Sequence, residues 1–204
     1  MTVTDATVSG RREATKAANR AAILAAGAEV FADVGFGAAT VRDIIRRTGL
    51  ASGTFYNYFP DKEAVLTAII SQTAGEARAR VRAARRGATT IESFVDRGFR
   101  AYFEYLVEDP LRLELLRRNS GTIRAMFDEP SVGAGTEELR EDLAAGVASG
   151  LLPAHDVDLM ATAMIGAGFE VGVRLLDEGA PDVDGAVRLL TGVFVGGFER
   201  LRGV

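Results

Sequence analysis

Apolar residues return at three- and four-residue spacing along almost the whole chain, while strand-like alternation is scarce and β-branched residues are scattered. That period belongs to helices that each bury one stripe. The expected architecture is therefore all-α, and 204 residues suffice to bury a core without covalent staples. Composition narrows the function. There is no cysteine, so disulfides, thiolate metal sites and a cysteine nucleophile are excluded. A single histidine, His155, expected in a loop as a surface or capping residue, gives a histidine-based metal site or catalytic triad little to draw on. Binding rather than catalysis is the expected work, with no cofactor and no metal.

Capping and breaking residues divide the chain into nine helices. A loose arm is expected over residues 1–14. The first helix then runs from about Thr15 to Val34, with Ile23, Leu24, Ala28, Phe31 and Val34 on one face, and stops at Gly35. Thr40 caps a short second helix, Asp43 returning the bond as a capping box, and Thr48-Gly49 ends it. A third covers about Ser52 to Phe59 before Pro60. Asp61 caps a long fourth helix reaching Arg86, and Thr89 with Glu92 forms the box that opens a fifth, ending near Glu108. Asp109-Pro110 starts a sixth, ending near Arg118. A turn at Thr122–Phe127 and a Gly/Pro/Ser-rich loop over Glu129–Gly135 precede a seventh from Thr136 to Ser149. Asp156 and Asp182 open the last two, reaching Glu178 and Arg202.

Charge is unevenly spread. Residues 1–62 carry eight basic and six acidic side chains, the remainder 16 against 22. A mildly basic head on an acidic body suits a protein that touches nucleic acid with one end. The first ten residues lack the apolar core of a signal peptide. The longest apolar stretch, Leu159 to Val173, is interrupted by Glu170 and shorter than the ~20 residues of a spanning helix. The expectation is a cytoplasmic protein without a membrane partner.

Three short helices, the second and third joined by a tight glycine-containing turn, have the geometry of a helix-turn-helix, whose second element enters the major groove. Ser52, Gly53 and Thr54 are small enough for close approach to phosphate or base edges, and Tyr56, Asn57 and Tyr58 supply polar groups. Phe55 and Phe59 read as core pins, and Arg46 and Arg47 as a solvated face. Lys62 opens the fourth helix, where a cation opposes the helix dipole, so a grasp on phosphate would explain it.

The stretch from Phe31 to Glu63 resembles the DNA-binding domain of TetR-family transcriptional regulators. The shared marks are the Phe-x-x-x-Gly turn, Thr-Val-Arg-Asp-Ile, Gly-Thr-Phe-Tyr-x-Tyr-Phe and Asp-Lys-Glu. Ala51 stands where many members have a capping Ser, and Ser52 is expected to take over that cap. The resemblance implies a homodimer that binds a palindromic double-stranded operator, as a repressor, and is released by a small effector. The helix-turn-helix would occupy residues 15–61, and residues 62–204 would form the effector-binding and dimerisation domain. The implied DNA contacts are Thr40, Arg42, Ser52, Gly53, Thr54, Tyr56, Asn57, Tyr58 and Lys62. Arg11, Arg12 and Lys16 join them as arm contacts from charge alone.

Glycine is frequent in the last two helices, and interior glycine costs a helix about 1 kcal/mol, so close backbone approach is expected there. Gly168, Gly172, Val187, Leu190, Phe194, Gly196, Gly197, Phe198 and Leu201 are read as a four-helix interface between two copies. Glu170 and Arg174 stand at ion-pair spacing. The middle of the chain supplies Phe99, Tyr102, Phe103, Tyr105, Asn119, Met126, Phe127, Met160, Met164 and Phe169 as candidate walls of a mainly apolar pocket. A hydrophobic or weakly polar effector would suit it. Two other readings stay open at this stage: a helical binding or scaffold protein of the same fold without operator recognition, and a small helical enzyme. The latter has no proton-transfer pair, metal spacing or activated nucleophile to support it.

Overall fold

Thr40 adopts extended backbone, and its hydroxyl accepts the Asp43 amide while the Asp43 carboxylate accepts the Thr40 amide. That reciprocal pair starts one helix of a computed structural model that describes residues 3–175 and 181–202, the first seven as backbone only. Nine helices occupy the described residues: α1 (Val3–Val34), α2 (Val41–Thr48), α3 (Ser52–Tyr56), α4 (Lys62–Arg85), α5 (Ile91–Val107), α6 (Pro110–Ala125), α7 (Pro130–Ala148), α8 (Val157–Leu175) and α9 (Val183–Leu201). No strand is present among them.

Several boundaries differ from expectation. The helix expected to begin near Thr15 starts at Val3, so most of the expected arm continues α1; residues 4–14 hold no proline to stop it. The box opening α5 is Thr90 with Ser93, not Thr89 with Glu92. The segment Glu129–Gly135, expected as a loop, is largely the first turns of α7, with Pro130 at the helix start where proline is tolerated. Its glycines serve packing instead: a Cβ on Gly133 would collide with the Phe127 carbonyl, and one on Gly135 would press on the Arg78 stem. Likewise α6 continues through the expected turn to Ala125. Asp61 and Asp182 cap α4 and α9, and Asp156 accepts two amides of the first turn of α8. The expected end of the eighth helix at Glu178 lies outside the described residues.

One apolar core runs from Ile23 to Phe198. Its amino-terminal part joins the second half of α1 to α2, α3 and the start of α4 through Phe31, Ile44, Phe55, Phe59 and Val65. Gly27 lets α4 approach α1: a Cβ there would lie 2.6 Å from Val65 Cγ1. The remaining helices pack around α5 and the second half of α4. Buried Asn119 of α6 ties the two regions together. Its amide donates to the Phe31 carbonyl at 3.0 Å and the Leu115 carbonyl at 2.8 Å, and its oxygen accepts the Phe36 amide at 2.7 Å. His155 differs from the expected surface or capping role: half-buried, it meets the Phe198 ring edge-on at 5.2 Å, and its Nδ1 lies 2.7 Å from the Pro153 carbonyl. No described helix is long and apolar enough to cross a membrane.

Candidate nucleic-acid interface and ligand cavity

Gly49 ends α2 in the left-handed region (φ 67°), which lets the chain turn sharply into α3. Phe55 and Phe59 are buried behind α3, as expected, and their rings lie 6.4 Å apart. That anchoring leaves Ser52, Gly53, Tyr56 and Asn57 exposed on the opposite side, with Tyr56 58% accessible. The expected cap differs: Ala51 is the N-cap and makes no side-chain bond, so Ser52 lies in the first turn and its hydroxyl does not cap the helix. Thr54 is half-buried beside this tip.

Neighbouring side chains divide into exposed and committed groups. Arg42 is exposed, whereas Arg46 pairs with Asp43 at 2.9 Å and Arg47 binds Glu29 and Asp33 of α1. Thr40 is exposed, but its hydroxyl serves the α2 cap and donates to Asp43 at 2.5 Å. The Thr40 bonds are the chief reason that the Asp43 carboxyl titrates below its ordinary range. Tyr58 is half-buried, its hydroxyl accepting from Asn19 of α1 at 3.3 Å. Arg11, Arg12 and Lys16 are exposed on α1 rather than on a loose arm.

Lys62 has partners within the chain. Its ammonium donates to the carbonyls of Phe36 at 2.8 Å and Ala39 at 2.9 Å and lies 4.5 Å from the centre of the Phe36 ring. Two of its three donors thus clamp the α1–α2 turn instead of facing outward. Sequence alone could not show this, because the partners lie more than twenty residues upstream. Lys62→Met should cost about 1.5–3 kcal/mol, the scale of hydrogen bonds to a charged group, read as a lower urea midpoint.

A mainly apolar cavity of about 200 Å³ lies between α4, α5, α6, α7 and α8. Of the expected wall residues, Phe99, Tyr102, Tyr105, Phe127, Met164 and Phe169 line it. Phe103, Met126, Met160 and Asn119 do not: Phe103 is sealed in the core, Met126 and Met160 pack beside it, and Asn119 faces α1. The Tyr105 hydroxyl is also committed, donating to Glu76 at 2.9 Å. Burial and that bond push its pKa up to about 12. The Tyr102 hydroxyl has no hydrogen bond among the described residues, and burial raises its pKa. Sequence reasoning missed Arg85, which also lines the cavity. In the basic run from Arg78 to Arg86 it reads as one more solvated cation; the one clue is Gly98 inside α5, where a Cβ would lie 2.5 Å from Arg85 Nε.

The expected interface residues also separate. Gly168 and Gly172 do allow close approach, but to α5 of the same chain: added Cβ atoms would lie 3.3 Å from Phe99 and 3.0 Å from Leu106. Val187, Leu190, Phe194 and Phe198 are buried within the chain. Gly196, Gly197 and Leu201 are exposed on α9. Beside them stand Leu189 and Val193, 59% and 57% accessible, with Leu159 of α8 at 69%. Glu170 bonds Arg124 of α6 at 2.7 Å rather than standing only beside Arg174.

Residues 23–69 match the family model of bacterial regulatory proteins, tetR family. The HTH-type transcriptional regulator UidR of Escherichia coli K12 is 35% identical over 77 residues, 38% of this chain and 39% of that protein. The chain spans about two fifths of the length of the curated relatives it matches. The fold extends further. It matches the fatty acid degradation regulator FadR of Bacillus halodurans with a TM-score of 0.72 and 24% identity, over 85% of this chain and 95% of that one. The Bacillus subtilis regulator FadR, solved in complex with stearoyl-CoA, gives 0.70 and 24%, over 83% and 96%. Residues 23–69, which hold the helix-turn-helix, are thus similar to the amino-terminal domain of bacterial regulatory proteins of the tetR family.

Proposed function

We propose that the protein is a ligand-responsive transcriptional repressor that binds a palindromic duplex operator as a homodimer and leaves it when a mainly apolar small molecule fills the cavity. The observation that carries the reading is the α3 tip. Its two phenylalanines are locked into the core, so Ser52, Gly53, Tyr56 and Asn57 are presented rigidly to a partner. Arg42 and Thr40, exposed at the start of α2, would join that tip on the duplex, and Arg11, Arg12 and Lys16, exposed on α1, would add basic contacts. Tyr58 and Thr54, half-buried, can supply polar groups only from its edge. Duplex selected from a random library by the wild-type protein tests this: enrichment of an inverted repeat supports it, whereas recovery of no duplex above background favours a scaffold that kept the fold without recognition.

Dimerisation would use the outer faces of α8 and α9. Leu159, Leu189 and Val193 are exposed apolar side chains, and the bare backbone at Gly192, Gly196 and Gly197 permits close helix contact. Leu189→Glu with Val193→Glu should convert the dimer to a folded monomer in light scattering. A dimer that persists in the double variant would move the interface elsewhere. For the ligand, the apolar cavity and the stearoyl-CoA carried by the Bacillus subtilis FadR neighbour favour an apolar chain over a sugar. Transmission would run through α6, whose Leu115, Leu116 and Ile123 line the cavity while Asn119 holds the end of α1. A shift of α6 then moves the recognition helices away from the ~34–36 Å spacing of one DNA turn.

A further inference from the structure

Arg85 is the unexplained group of the cavity. Its side chain is only 11% accessible, and its Nε has no hydrogen-bond partner among the described residues. The nearest carboxylate oxygen, Asp142 Oδ2, lies 3.8 Å from Nη1, too far for a hydrogen bond. The guanidinium lies 4.7 Å from the centre of the Phe94 ring. Gly98 leaves the space it occupies. A guanidinium removed from water with an unused donor is unfavourable unless a partner completes it. Burial lowers its pKa to about 10, which leaves it cationic at neutral pH.

The other arginines on the wall are already engaged or outside. Arg78 pairs with Glu138 at 3.4 Å and donates to the Ser131 carbonyl at 3.2 Å. Arg112 stacks on Tyr105 and donates to its carbonyl. Arg82 is exposed at the rim. Besides Asp142, the inner wall's polar groups without a hydrogen bond among the described residues are the Arg85 guanidinium and the hydroxyls of Tyr102 and Thr136, set in walls of Phe99, Phe127, Met164 and Phe169. From this arrangement we infer that the occupant is a slender apolar molecule ending in one anionic group, a carboxylate that accepts hydrogen bonds from Arg85 and Tyr102. Asp142, 30% accessible, can turn to water as the carboxylate enters. A cavity of about 200 Å³ falls below the roughly 300–1,000 Å³ of common ligand sites, so a nucleotide-bearing head would have to remain outside. The inference rests on the cavity being the effector site, but it concerns which chemistry that site selects.

The test measures binding of dodecanoate, 1-dodecanol and dodecanoyl-CoA to the full-length protein by calorimetry, with Arg85→Met, Arg85→Lys, Tyr102→Phe and Gly98→Ala beside the wild type. Dodecanoate should bind wild type roughly 10- to 100-fold more tightly than the alcohol, the range of a charge-assisted bond. Arg85→Met should abolish that preference, lowering the affinity for dodecanoate far more than that for the alcohol. Arg85→Lys should retain part of it, Tyr102→Phe should weaken it, and Gly98→Ala should lessen it by displacing the guanidinium. The melting temperature of ligand-free Arg85→Met should hold or rise, since an underpaired buried charge is removed. A fall in melting temperature with selectivity intact would make Arg85 a structural residue and overturn the inference. So would equal binding of acid and alcohol, or CoA-thioester binding that ignores Arg85 and places the anion outside. If wild type selects an operator yet binds none of the three probes, the ligand chemistry is refuted while DNA recognition stands.

Discussion

Tyr56→Ala is expected to weaken binding to the selected duplex by about 2–6 kcal/mol while leaving the fold and the oligomeric state unchanged. Phe55 and Phe59 hold α3 on the core, and Tyr56 stands on its outer side with its ring edge against Phe55 at 5.3 Å. Losing Tyr56 therefore opens no cavity in the core. A lost base or phosphate contact at a specific site costs about 1–3 kcal/mol, and a twofold protein loses it in both half-sites. Tyr56→Phe separates the hydroxyl from the ring: a drop close to that of alanine assigns the contact to the hydroxyl. Phe55→Ala is the contrasting case, a core truncation costing about 3–5 kcal/mol of stability. Gel shift or anisotropy at matched salt reads the first effect, and urea unfolding reads the second. Unchanged affinity in Tyr56→Ala would show that α3 does not enter the groove.

Asn119→Leu should have the second large effect, on both stability and communication. The leucine removes three hydrogen bonds and leaves the Phe36 amide without its partner in a half-buried place. Leaving such groups unsatisfied costs about 1–3 kcal/mol each, so a loss of about 2–4 kcal/mol is expected. Asn119 also joins the cavity-lining helix to the DNA-binding unit. The variant should still bind duplex at low temperature, but a cavity ligand should no longer alter that affinity. In wild type the change should fall in the range of 5- to 150-fold that couplings of about 1–3 kcal/mol produce. Retained coupling in a destabilised Asn119→Leu protein would send the signal by another route, α4 being the alternative.

Much of the fold was legible because its signals are local. Thr40 with Asp43, Gly49 after α2, Asp61 before α4 and Asp182 before α9 each satisfy or end helix backbone within four residues. Phe55 and Phe59 were readable as core from their spacing. What eluded the sequence is the identity of neighbours distant along the chain. Lys62 looked like a phosphate hand because its carbonyl partners lie across a turn that periodicity does not position. Gly168 and Gly172 announced a close helix contact correctly, but not that Phe99 and Leu106 of the same chain would fill it. Gly133 looked like loop because glycine in a turn and glycine under a carbonyl read alike. An aromatic stripe such as Phe99, Tyr102, Phe103 and Tyr105 marks buried residues, yet only packing decides that Phe103 is sealed while Tyr102 borders empty space.

In the proposed function, α3 enters duplex DNA as one of a symmetric pair. Footprinting of the wild-type protein on duplex enriched from a random library measures that directly. The expected pattern is two protected half-sites in inverted orientation, centred one helical turn apart, about 34–36 Å, with Tyr56→Ala losing both together. A single protected site, or protection with the same affinity as unselected duplex at the same salt, would contradict it.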